Sequence, residues 1–281
     1  MWTGGAPGPH VAVLAHYDAT GTVSAEVLGY IDALRDAGRS VFVASNAPLS
    51  PDARAALQSR CAGWLTRANA GHDFSAWRAA MLRFEIRAET LLLVNDSMHG
   101  PMAPLGPLFV RLRFERADIW ALTDSRQRAP HLQSYFLFAG PAALAHPAWA
   151  AFWAGIRPVR SREWVIRAGE LGFSRAMAAA GLRLAALWPI DTVLARHHAK
   201  TPVTEAEAAH ADDIKRAEAA GHALNPSIHL WRALLNLGFP FAKRDLTGRN
   251  RGRIADAHEV SAALRSMRSD PSPPRGDPDA G

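Results

Sequence analysis

Residues 91–94, Leu-Leu-Leu-Val, form an apolar run with no polar alternation, which stops at Asn95-Asp96-Ser97 and is closed off by Gly100-Pro101. A strand that is apolar at every position needs cover on both faces, the condition of a parallel sheet in an α/β domain. Gly-Pro cannot extend a central strand, so the chain must turn away abruptly. Open α/β sheets bind ligands outside the carboxyl ends of their strands. A carboxylate between an amide and a hydroxyl at such an end is therefore a candidate nucleotide or metal corner. The plainer alternative is that these three polar residues only cap a turn.

The same rhythm precedes this run. Val11-Ala-Val-Leu-Ala15 reads as a buried strand ending at His16-Tyr17-Asp18, and a helix over 23–37 follows with Val27, Ile31 and Leu34 on one face and Gly38 as its stop. Residues 41–44 form a second strand, and Ser50-Pro51 opens a helix to about residue 60, serine as cap and proline at the first helical position. A short strand over 63–67 runs into Asn69-Ala-Gly71-His-Asp73, and 74–84 is helical. Strand and helix in alternation predict right-handed crossovers and a mainly parallel, nucleotide-binding sheet flanked by helices, an α/β fold.

Beyond Gly100 the rhythm changes. Residues 105–114 read as helix, 118–123 as strand, 124–131 as a polar loop, 133–139 as strand, 161–180 as helix and 182–188 as strand. An exposed, Ala-rich helix is expected over 204–221, then an amphipathic helix over 225–237 broken by Gly238-Phe-Pro-Phe241. The expected organisation is a flexible N-terminus (1–9), the nucleotide-binding domain (10–200), a helical C-terminal extension packed on it (201–268) and a disordered tail (269–281) rich in Pro, Ser, Gly, Asp and Arg.

Composition narrows the partners. Cys61 stands alone among 281 residues, which excludes a disulfide framework and a cysteine-rich zinc site within one chain. No window reaches the roughly 18 apolar residues of a membrane span, and residues 1–10 lack a basic region followed by an apolar one, so a cytoplasmic protein is expected. The net charge of +6 is concentrated late: residues 243–268 carry seven Lys or Arg against three acids. Such a stretch favours an anionic surface, phospholipid headgroups or nucleic acid, although a solvated helix face is the commoner meaning. No nucleic-acid module is recognisable, and nucleic acid is not an expected partner.

G-x-G-x-x-G, a Walker loop, a nucleophile elbow and H-E-x-x-H are all absent. Four polar clusters remain, each after an apolar strand or before a helix: His16-Tyr17-Asp18, residues 69–73, Asn95-Asp96-Ser97, and residues 124–134. With parallel strands the first three converge on one edge of the sheet. A nucleotide-sugar needs such convergence, with amide and carboxylate partners for base and ribose and directional hydrogen bonds for the sugar. Asp73 could instead cap the following helix and His131 fill a partly buried loop.

The motifs Asn69-Ala-Gly-His-Asp73-Phe-Ser-Ala-Trp77, Leu93-Val-Asn95-Asp96-Ser97-Met-His-Gly100-Pro101, Asp118-Ile-Trp-Ala-Leu-Thr123-Asp124 and His131-Leu-Gln133-Ser134-Tyr135-Phe136 occur in order. Asn225-Pro226 up to Trp231 and Gly238-Phe-Pro-Phe-Ala-Lys243-Arg244-Asp245-Leu246 follow. Together they resemble the successive motifs of the rhamnan synthesis F family, over about residues 10–250. The resemblance implies a GT-A-like glycosyltransferase domain that moves rhamnose or a related sugar from a nucleotide-sugar donor, dTDP- or UDP-linked, during assembly of a bacterial cell-surface polysaccharide.

The implied donor-binding set is His16, Tyr17, Asn69, Gly71, Asp73, Asn95, Asp96, Ser97, His131, Gln133 and Ser134. Asp96 stands where such enzymes hold Mg²⁺ or Mn²⁺, but one carboxylate is a weaker metal site than two. Without a cation the leaving diphosphate needs Arg, Lys or backbone N–H groups, and Arg67, Arg126 and Arg128 are candidates by position. The acceptor hydroxyl needs a base, and Asp124, Glu163 and Glu170 are the carboxylates implied for it. An inverting reaction on a glycan or lipid-linked acceptor is expected. The basic C-terminal stretch with Trp231, Leu234, Leu235 and Phe239 could rest peripherally on the inner membrane, or those residues could simply form a helix packed on the sheet. The rival reading is a non-catalytic glycan- or nucleotide-binding scaffold in polysaccharide assembly.

Overall fold

The computed structural model describes residues 1–269; of the tail expected to be disordered, 270–281 lie outside the described residues. The strands are β1 (Trp2–Thr3), β2 (His10–His16), β3 (Ser40–Ser45), β4 (Gly63–Thr66), β5 (Thr90–Asn95), β6 (Met98–His99), β7 (Ile119–Ser125), β8 (His131–Leu132), β9 (Phe136–Ala139), β10 (Leu184–Trp188) and β11 (Ala242–Lys243). The early helices are α1 (Ala25–Asp36), α2 (Pro51–Gln58), α3 (His72–Arg83), α4 (Gly106–Arg111), α5 (Pro141–Ala145) and α6 (Pro147–Gly155). After them come α7 (Arg162–Trp164), a π-helical segment (Val165–Glu170), α8 (Leu171–Ala179), α9 (Ile190–His198) and α10 (Glu205–Ala219). The last are α11 (Pro226–His229), α12 (Trp231–Asn236), α13 (Arg244–Thr247) and α14 (Val260–Ser269).

The main sheet has the order β1-β4-β3-β2-β5-β9-β7-β10, with β8 paired to β7. β2 runs parallel to β3 and β5, and β3 parallel to β4. β9 is antiparallel to both β5 and β7, so β7 points the same way as β5 and β9 is the reversed strand between them. Trp2–Thr3, inside the segment expected to be flexible, adds a short antiparallel edge on Gly63 and Trp64. The sheet is thus mainly parallel and flanked by helices, the α/β architecture the alternation predicts.

The chain groups into two compact units. The first comprises Met1–Asp96, Pro104–Ala121 and His131–Ala185; the second comprises Ser97–Ala103, Leu122–Pro130 and the chain from Ala186 onward. They interleave along the sequence instead of following in series.

In the first unit, β5 is buried at every residue and β2 at all but His10, which is why neither strand alternates. Ser24 caps α1 by accepting from the Val27 amide, and Val27, Tyr30, Ile31 and Leu34 form its buried face. Arg39 is drawn inside: its guanidinium lies 4.2 Å from the Phe109 ring centroid and donates to Thr90 Oγ1 at 2.6 Å, and burial lowers its pKa to about 10. Phe74, Trp77, Phe152, Trp153 and Phe173 pack edge-on, tilted or stacked at centroid distances of 5.1–6.5 Å. In the second unit Met102, Trp231, Leu246, Ile254, Val260 and Leu264 form a core together with Ala242 of β11, the strand paired with β6.

Several elements depart from the sequence reading. The helix expected over 105–114 is the shorter α4, and the strand expected from 133 begins at Phe136. The helix expected over 161–180 contains the π segment. Leu230, at φ −118° and ψ 27°, divides the helix expected over 225–237 into α11 and α12. α10 is not a wholly exposed helix: Glu207, His210 and Ile214 make a buried stripe at helical spacing.

Candidate functional site

In the first unit the carboxyl ends of β2, β3, β4 and β5 lie on one rim, because these strands are parallel and adjacent. The reversed β9 pairs Phe136 with Val94, which brings the residues leading into it, 133–135, to the same rim. Polar residues follow each apolar strand there, and hydrogen bonds tie them together.

His16 ends β2 buried, with Nδ1 3.2 Å from Ser45 Oγ and Nε2 4.0 Å from Asp96 Oδ2. The next residue, Tyr17, donates its amide to Asp96 Oδ2 at 2.9 Å and leaves its ring half exposed. Asp18 closes a local turn by accepting from the Thr20 hydroxyl and amide; these bonds hold its carboxyl below the usual range. From β3, the Asn46 amide donates to the His16 carbonyl at 2.8 Å. Asn46 Oδ1 in turn accepts from Arg67 Nη1, while Arg67 Nη2 donates to the Ala70 carbonyl at 2.6 Å. Burial lowers the Arg67 pKa, yet a guanidinium remains charged at neutral pH.

Asn69 is exposed in the loop after β4, and Gly71 caps α3 with φ +78°, its amide donating to Val159 O at 2.7 Å. Asp73 sits in the first turn of α3, where the helix dipole favours a carboxylate, and accepts from Asn95 Nδ2 at 2.7 Å. Trp77, fully buried one turn on, donates Nε1 to the Val94 carbonyl at 2.9 Å and fixes α3 against the end of β5. His131 and Gln133 are buried, and Ser134 donates both its amide (3.2 Å) and its hydroxyl (3.1 Å) to Glu170 Oε1. Glu170 is the last residue of the π-helical segment, a geometry that recurs at functional sites. Glu163 is exposed on α7.

Of the residues expected at the site, His16, Tyr17, Asn69, Gly71, Asp73, Asn95, Asp96, His131, Gln133, Ser134, Glu163 and Glu170 belong to the first unit. Ser97, Asp124, Arg126 and Arg128 belong to the second unit. There Ser97 Oγ accepts from Lys243 Nζ at 3.0 Å, Arg126 pairs with Asp191 at 2.6 Å, and Arg128 is exposed with φ +68°. Asp124 Oδ1 accepts from the Ile190 amide at 2.7 Å, capping α9, whose N-cap residue Pro189 makes no side-chain cap bond. Sequence reasoning missed Ser45 and Asn46. The signal was present: they follow the second strand as Asn95 and Asp96 follow the fourth.

A model of the family described as "Rhamnan synthesis protein F" matches residues 41–214, well over half of the chain. The chain belongs to the rhamnan synthesis protein F family. The match takes in Asn46, Arg67, the clusters at 69–73 and 95–97, Asp124, residues 131–134, Glu163 and Glu170; His16, Tyr17 and the 225–246 motifs lie outside it. The virulence protein VirA of Vibrio anguillarum, both in strain 775 and without strain designation, is 25% identical over 203 residues. That alignment covers 68% of this chain and 64% of VirA, so the chain spans under two thirds of these relatives' length. Among solved structures, 4-diphosphocytidyl-2C-methyl-D-erythritol synthase from Anaerococcus prevotii overlays at a TM-score of 0.38 with 8% identity, over 74% of this chain and all of that one.

Proposed function

We propose that this rhamnan synthesis protein F family member is a GT-A-like, inverting glycosyltransferase that takes rhamnose or a related sugar from a dTDP- or UDP-linked donor to a polysaccharide or lipid-linked glycan. The observation that carries the reading is the hydrogen-bonded rim of the first unit, where Asp96, Tyr17, His16, Asn95 and Asp73 meet at the carboxyl ends of parallel strands. Family membership supplies the polysaccharide context. Amides and carboxylates there suit the base and ribose, and the half-exposed Tyr17 ring offers a stacking face.

Transfer forms a bond from an acceptor hydroxyl oxygen to the anomeric carbon as the bond to the diphosphate oxygen breaks, and the hydroxyl proton passes to a base. Glu170 is that base in this proposal: Ser134 fixes Oε1 twice, and Oε2 receives the proton. Asp124 and Glu163 are the weaker choices, the first because its carboxylate caps α9. Mg²⁺ prefers near-octahedral oxygen coordination. Among the described residues no group of three or more His, Cys, Asp or Glu side chains is placed to hold a metal, and one oxygen of Asp96 already takes the Tyr17 amide. In this proposal the diphosphate charge is met without a protein-held cation. Arg67 contributes by fixing the turns after β3 and β4. No described helix is long and apolar enough to cross a membrane; a peripheral place at the inner membrane face, with the basic stretch against anionic lipid, is part of the proposal.

The test is titration with UDP and dTDP by calorimetry, followed by transfer and donor-hydrolysis assays with dTDP- and UDP-sugars. Binding with turnover is the expected result. Binding without turnover across varied acceptors would make the protein a scaffold, and no nucleotide binding would remove the rim as the donor site.

A further inference from the structure

The second unit holds a cavity of about 360 Å³ bounded by the β7–β8 loop, α9, the end of α10 and residues 221–224. Its polar lining is Arg126, Asp191, Glu218 and His222; Ile190, Leu194 and Leu224 supply apolar surface. Hydrogen bonds within the chain hold its walls. Gln127 Nε2 donates to the Ala223 carbonyl at 3.3 Å, the Ser125 hydroxyl to the Leu224 carbonyl at 3.4 Å, and the Ile190 amide to Asp124 at 2.7 Å. A volume in the low hundreds of Å³ with an apolar floor and a few convergent polar groups is the form of a small-molecule site.

The charges decide what kind of molecule fits. One guanidinium faces two carboxylates, Arg126 is already paired with Asp191 at 2.6 Å, and Glu218 already meets His198 Nε2 at 3.1 Å, so there is no surplus positive charge for a phosphate or carboxylate ligand. The Arg126–Asp191 pair is more than half exposed on both sides, and such a pair contributes little by itself. Either partner is therefore easily redirected to a ligand. Carboxylates accept from hydroxyls, and a guanidinium donates in a fork to two neighbouring oxygens. Adjacent sugar hydroxyls offer both, and the C–H face of a pyranose suits the Ile190, Leu194 and Leu224 side.

We infer that this cavity binds one unit of a neutral saccharide and serves as a docking subsite for the glycan acceptor. The acceptor role rests on the glycosyltransferase reading above, whereas saccharide binding does not. Saturation-transfer NMR on the full chain with methyl α-L-rhamnopyranoside tests it. Saturation transfer to the glycoside is expected. Ala223→Phe, which fills the cavity from an exposed loop position, and Asp191→Asn, which keeps the side-chain volume, should each weaken glycoside affinity about fivefold or more. UDP and dTDP titrations of both variants should match the parent, which also reports that they are folded. Absence of transfer, equal transfer in parent and both variants, or displacement of the glycoside by inorganic phosphate overturns the inference. Glycoside binding without nucleotide binding removes the glycosyltransferase reading and leaves the saccharide site; the reverse result removes the site and leaves the reading.

Discussion

Asp96 Oδ2 takes the Tyr17 amide at 2.9 Å, and its side chain is only 22% exposed, so truncating it leaves a backbone donor at the rim without its acceptor. A hydrogen bond to a charged group is worth about 1.5–3 kcal/mol. Asp96→Ala should therefore weaken nucleoside diphosphate binding by about ten- to a hundredfold by calorimetry, and Asp96→Asn, which retains an acceptor oxygen, by less. Unchanged affinity and activity in Asp96→Ala would take this corner out of the mechanism. Gly71 is constrained differently. At φ +78° an added Cβ would stand 2.0 Å from Ser75 Oγ and 3.0 Å from the Arg157 carbonyl oxygen. Gly71→Ala should lower stability by about 1–3 kcal/mol in urea denaturation. Adding Ser75→Ala removes the Oγ contact but keeps the residue-75 Cβ at 2.7 Å and the backbone strain, so the double variant should recover only part of the loss.

The π-helical Val165–Glu170 is the element that aims the proposed base. Gly169 within it lies against Phe74, where a Cβ would meet the ring at 2.7 Å, and Glu170 emerges at its end to take both Ser134 donors. Glu170→Gln keeps an acceptor for those donors while losing basicity. Nucleotide affinity and melting temperature should hold, and the transfer rate should fall about 10²–10⁴-fold. A comparable loss in Glu163→Gln instead would move the base to α7. How far such elements are legible in a sequence depends on how local their cause is. The buried strands are readable because β2 and β5 are apolar throughout and end in polar residues, and the Ser24 and Ser50 caps mark helix starts. Apolar spacing over 161–180 reveals a helix but not the extra residue of a π turn. α5 and α6 open on Pro141 and Pro147 and are nearly all apolar, leaving no polar face to betray their period. α9 takes its capping acceptor from Asp124, 66 residues away. The same polar residue was legible as a site candidate and illegible as a cap.

Across the whole chain, a boundary read from composition, such as the one expected at residue 200, follows the order of residues, whereas packing gathers three separated segments into each unit. The consequence of packing that reaches solution most directly is linkage to pH. Burial pushes the His197 and His229 pKa values below the ordinary 6.5, and the Asn225 amide donates to His229 Nδ1 at 2.8 Å, a bond a proton there would displace. As pH falls below about 6.5 the unfolded chain binds protons that the folded chain does not, so these histidines destabilise the fold on the acid side and do nothing above pH 7. Several carboxyls act further down. Arg183 holds Asp118 low by hydrogen bonding; burial alone would raise Glu207 and Asp245, but Val203 and Lys200 bring the first, and Arg251 the second, below the usual range. Their contribution is present above about pH 4.5 and is lost as pH falls through their depressed values. Urea midpoints should be flat from pH 8 to 7, decline from about 6.5, and drop again below about 4. The slope of the first decline has a ceiling of about 1.4 kcal/mol per pH unit per proton, and half-buried His197 contributes less because solvent screens it. His197→Gln should flatten that first decline in part and leave the second in place; a midpoint constant from pH 8 to 5 in the parent protein would show that neither histidine changes its protonation on unfolding.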